Sequence, residues 1–161
     1  MNIICLELAE RIRGEVPDLE HVVRRCLTSW EQVQIIPEEG AYLDSVALNL
    51  HSFYSGLERL FELIARHIDC SLPKGRTWHR DLIKQMAEAR TDIRPAVIDE
   101  NTAQALDEFR RFRHLVRNVY TMNIVPEKVS RLMFRLPEVW EGLRAELLTF
   151  ADFLEDLAHV C

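Results

Sequence analysis

The residues of this chain best suited to chemistry lie between Arg110 and Tyr120, in the run RRFRHLVRNVY. A helix turns about 100° per residue, which puts Arg113 and Arg117 about 40° apart. Arg110, His114 and Asn118 complete the same front, and Tyr120 borders it. Phe109, Phe112, Leu115, Val116 and Val119 all fall on the opposite side. One helix therefore has an apolar back and a cationic front, with no acid from Phe109 through Val125. A solvated face ordinarily mixes acids with bases, so this front suits an anion. Guanidinium groups hold phosphate oxygens two at a time. An imidazole such as His114 can move a proton near neutral pH.

Two ordinary readings stand beside that one. Arg110, Arg113 and Arg117 could pair with Glu58, Glu62 or the acids of a second copy. Tyr120 could be a core-edge residue whose hydroxyl is satisfied locally. His51, Tyr54, Ser55 and Glu58 share one face of another helix at i, i+3, i+4 and i+7. They either line the same cleft, with Glu58 orienting an arginine, or form a solvated stripe. Trp78, His79 and Arg80 follow a glycine loop; Trp78 either stacks on a base or packs a helix start against the core, which tryptophan's usual burial favours. His67, Asp69 and Cys70 suggest neither a metal site nor a triad. Cys5, Cys26, Cys70 and Cys161 have no C-x-x-C spacing, which points to mostly buried thiols and no metal.

These residues need helices to position them. The chain has 161 residues with 48% hydrophobic and 29% charged content, which fits a single globular domain with one core. The formal net charge of −6 opposes broad gripping of duplex phosphates but allows a small basic cleft. No apolar run approaches the ~20 residues needed to span a bilayer. The first residues, MNIICLELAERIRGE, lack a basic leader, so a cytoplasmic location is the expectation.

Apolar periodicity predicts helices over Asn2–Arg13, ending at Gly14, and over Asp18 to about Gln34. It predicts others over Tyr42–Ile68, Thr77–Ala89 and Thr102–Tyr120. A short helix, Glu127–Phe134, follows Pro126, and Pro137 is expected to open the last, Glu138–His159. Valine-rich alternation is missing. The expected architecture is all-α: an antiparallel four-helix bundle with short accessory helices.

The run R-H-L-V-R-N-V-Y, followed after five residues by Pro126-Glu127-Lys128-Val129, resembles the HEPN superfamily, above all the HepT-like toxins of HEPN–nucleotidyltransferase toxin–antitoxin modules. The resemblance implies a HEPN-like bundle over residues 40–160, with 1–36 as an N-terminal helical extension of a single domain. It implies a homodimer in which two motif helices face one another across a cleft. It further implies a metal-independent endoribonuclease without cofactor, RNA as substrate, and a nucleotidyltransferase-type antitoxin as partner. Arg113 takes the motif arginine and His114 the polar position beside it. Tyr120 takes the tyrosine that some systems adenylylate. Asn118 stands where the motif has histidine.

An amide cannot cycle protons, so His114 is the expected substitute, with Arg113 and Arg117 holding phosphate and Arg110 assisting. Glu58 and His51 would support the cleft. In a dimer six arginines would crowd together, so acids such as Glu58 and Glu62 or a bound anion must offset them. The alternative is a HEPN-like bundle that has lost catalysis and binds RNA, nucleotide or a partner protein.

Overall fold

The computed structural model describes residues 2–118 and 124–160, with residues 114–118 as backbone alone. Within these residues the chain forms five helices: α1 (Asn2–Ile35), α2 (Gly40–His67), α3 (Trp78–Ala87), α4 (Glu100–Asn118) and α5 (Pro126–Val160). Four are long and α3 is the short accessory one, so the expected all-α bundle is what forms.

Inter-helix contacts set the directions. Cys26 reaches Val46 and Met133, Leu19 lies beside Gly56, and Arg13 pairs with Asp152 at 2.6 Å. Residue numbers fall along α2 and α5 as they rise along α1, so α1 runs antiparallel to both. Arg135 with Glu108 and Thr102 with Glu146 make α4 antiparallel to α5. The apolar stripe read from α2 is the core: Val46, Leu50, Phe53, Leu57, Leu60, Phe61, Ile64 and Ile68 are all buried. Cys5, Leu8, Ile12, Leu19 and Val23 of α1 join the same cluster, as do Leu136, Leu143, Leu147 and Leu154 of α5. No described helix is long and apolar enough to cross a membrane.

Two expected boundaries are wrong. Gly14 does not end a helix, and α1 runs unbroken for 34 residues through Gly14 and Pro17. Pro137 does not open the last helix; it lies inside α5, whose 35 residues also absorb the expected short helix Glu127–Phe134. A helix-interior proline costs roughly 3 kcal/mol because it deletes an N–H donor and crowds the carbonyl four residues back. Both prolines lie on the exposed side, where water can satisfy the orphaned carbonyl. Continuous apolar stripes on the other side hold each helix together across the defect.

The segment between α3 and α4 is clasped by one buried arginine. Arg94 donates to Asp69 through Nε at 2.6 Å and Nη2 at 2.8 Å. It also donates to the backbone oxygens of Gln85, Glu88 and Pro95 at 3.1, 3.0 and 2.9 Å. Gln85 Nε2 donates to the same Asp69 at 2.7 Å. All five guanidinium N–H groups are thus used, as burial of such a group demands. Asp69, which stood near His67 and Cys70 in the sequence without an assigned task, serves this clasp. At the start of α4, Asp99 caps the helix by accepting the Thr102 N–H at 2.7 Å.

Candidate functional site

The cationic helix face meets the polar flank of α2 because two aromatic rings lock the helices beside it. Phe53 of α2 and Phe109 of α4 meet edge to face with centroids 5.8 Å apart, and Phe53 meets Trp140 of α5 at 5.9 Å. Phe109 and Phe112 are buried, as the apolar back of α4 requires. Next to this contact, Tyr54, Ser55 and Glu58 face Arg113. The solvated-stripe reading of these α2 residues fails: Tyr54 and Glu58 are buried, while Ser55 and His51 are partly so.

Glu58 is the centre of the arrangement. It is only 4% exposed, and a carboxylate so buried must be paired. One oxygen, Oε1, lies 3.7 Å from Arg113 Nη1. The other, Oε2, lies 2.6 Å from His79 Nδ1. Arg113 Nε donates to the Ser55 hydroxyl at 3.1 Å. The Tyr54 hydroxyl is buried beside this group with no hydrogen-bond partner among the described residues. Burial raises its pKa far above the ordinary phenol value, and the neighbouring Glu58 charge adds to the effect.

Arg110 turns to an acid of its own helix. Its Nε donates to Asp107 Oδ1 at 2.7 Å, and Arg111 Nη2 donates to Asp107 Oδ2 at 2.7 Å. Burial opposes ionisation of Asp107, but the hydrogen bonds from Arg110 and Arg111 outweigh it and hold the carboxyl below its usual range. The acid-free window read from the sequence begins two residues after Asp107, which is why this partner was not anticipated. On the other side of α4, Arg111, Lys128 and Arg131 line an open groove of about 290 Å³ with Glu108, Phe112 and Leu132.

The structure thus brings Arg113, Ser55, Glu58 and Tyr54 together, with Arg110 one turn away. The side chains of His114, Arg117 and Asn118 lie outside the described residues, as does Tyr120 altogether. His79, read from the sequence only as a neighbour of Trp78, is the residue whose pairing with Glu58 was not anticipated. Its register on α3 follows a loop and could not be read from spacing, although a buried Glu58 needed a second partner. Trp78 packs against the core, as its size suggested, and lies on the His79 ring with centroids 3.6 Å apart.

Cys5 and Cys26 are buried and Cys70 is exposed, none of them in a disulfide. Burial pushes the Cys26 thiol up to about 12. Among the described residues no cluster of three or more His, Cys, Asp or Glu could hold a metal ion. A family model described as HepT-like protein matches residues 45–154, more than half of the chain, and the chain belongs to that family. No curated protein and no solved structure matches it.

Proposed function

We propose, with membership of the HepT-like family as the premise, that this chain is the toxin of a HEPN–nucleotidyltransferase toxin–antitoxin pair. In this reading two copies form a cleft around their motif helices and cut single-stranded RNA there without a metal. Arg113 and Arg117 hold the scissile phosphate, and Arg110 assists. The antitoxin silences the protein, with Tyr120 as the position open to adenylylation. The observation that carries the reading is the placement of Arg113. The motif arginine is oriented by Ser55 and by a buried carboxylate instead of being released into solvent. Glu58 and Asp107 also offset the charge that pairing two arginine-rich faces would concentrate.

A second reading, a non-catalytic bundle that binds RNA, is favoured by Asn118, whose amide cannot transfer protons at neutral pH. Expression of the chain alone, with growth scored, combined with cleavage of a labelled RNA by purified protein, separates the two. Growth arrest and cleavage, both lost in Arg113→Ala, support the toxin. RNA binding without cleavage supports the second reading. Sedimentation as a monomer at micromolar concentration overturns the shared cleft.

A further inference from the structure

Metal-independent cleavage needs a group that takes a proton from the attacking 2′-hydroxyl, and Asn118 cannot do so. Resting on the toxin reading, we propose that His79 of α3 is this general base, with Glu58 as the residue that positions it.

Four observations converge. Glu58 Oε2 lies 2.6 Å from Nδ1; an ionised carboxylate only accepts, so in the neutral ring the Nδ1–H tautomer donates to it and Nε2 carries the lone pair. A carboxylate in this place sets the tautomer and stabilises the imidazolium that forms, as in other carboxylate–histidine pairs. The His79 side chain is 23% exposed, so part of the imidazole is open to solvent while the acid behind it stays buried at 5%. Arg113 meets the other oxygen of the same carboxylate, so one acid gathers the phosphate-binding guanidinium and the imidazole. The Trp78 ring covers one face of His79 and limits its rotation. α3 packs on α2 and α4. Among the described residues the charged groups shown against His79 are Glu58 and, across that carboxylate, Arg113; Arg80 and Asp81, next to it on its own helix, lie 4.0 Å from each other.

In the step, the 2′-oxygen bonds to the adjacent phosphorus as its proton passes to His79 Nε2. The bond from phosphorus to the 5′-oxygen breaks, and water protonates that oxygen. The hydroxide left by this water takes the proton from the imidazolium and restores neutral His79. The products are a 2′,3′-cyclic phosphate and a 5′-hydroxyl end.

The test uses the full chain and a fluorescent single-stranded RNA. His79→Gln is expected to slow cleavage by about 10²–10⁴-fold, with RNA affinity by anisotropy and melting temperature unchanged. It should also abolish the fall in rate toward acid pH that an imidazole base produces. Cleavage by His79→Gln at the wild-type rate with an unchanged pH profile overturns the proposal. Loss in His114→Gln but not in His79→Gln does the same and assigns the proton to α4. Should His79→Gln melt early, Glu58→Gln provides the second test, and an unaltered pH–rate profile there overturns the proposal. A wild-type protein that cleaves nothing overturns the toxin reading and this base together, whereas an active His79→Gln overturns the base alone.

Discussion

Replacement of Asp69 by alanine is the sharpest test of how the α3 region is held. The change removes both acceptors of the Arg94 fork, at 2.6 and 2.8 Å, and leaves a guanidinium whose side chain is 0% exposed. Three carbonyls still accept from it, but its charge has no counterion, and Arg90, 3.4 Å from Asp69 in the native protein, adds a second positive charge nearby. Removing one partner of a buried ion pair typically costs about 3–5 kcal/mol. For a domain of this size each kcal/mol moves the melting temperature by about 2–4 °C, so Asp69→Ala should melt roughly 6–20 °C early. Thermal and urea unfolding followed by circular dichroism would measure this. The double variant Asp69→Ala/Arg94→Met should recover part of the loss, because it removes the stranded charge as well. A melting point for Asp69→Ala within about 2 °C of wild type would refute the reasoning, since it would mean that Arg94 simply turns out to water.

Two further outcomes follow from the helices. Gly14 sits inside α1 with open space where a Cβ would go, so Gly14→Ala should stabilise the protein by about 0.5–1 kcal/mol and raise its melting point; a drop would mean that the helix ends there after all. Asp107 has a depressed carboxyl pKa, so its contribution to stability is present above the ordinary carboxylate range and is lost as pH falls through its folded value. Asp107→Asn should therefore flatten the acid side of the stability–pH curve measured by urea unfolding below about pH 4, and an unchanged slope would count against the Arg110–Asp107–Arg111 pairing.

The core was legible because burial writes a helical period into the sequence. Leu50, Leu57 and Ile64 of α2, and Phe109 and Phe112 of α4, lie on the sides that spacing assigned them. The helices α1 and α5 were read too short, because Gly14 and Pro137 carry local boundary signals that tertiary packing overrides. Glu58 was legible as a partner for an arginine, since both project from polar flanks of amphipathic helices. His79 was not, because its place depends on how the loop before Trp78 sets α3 against α2, and no periodicity crosses that loop. Asp107 escaped notice because it stands just outside the acid-free window.

The two internal prolines fall on either side of one level of the bundle. Glu20 of α1 meets Trp140 of α5, Trp140 meets Phe53 of α2, and Leu19 meets Gly56 of α2. Pro17 stands three residues before Glu20 in α1 and Pro137 three residues before Trp140 in the antiparallel α5, so each lies about a turn from this level, in opposite directions. Each proline removes one rung from its helix ladder. Any bending of α1 and α5 would concentrate at two separate storeys, one on each side of the Trp140 contact, so that the two helices would hinge at different heights.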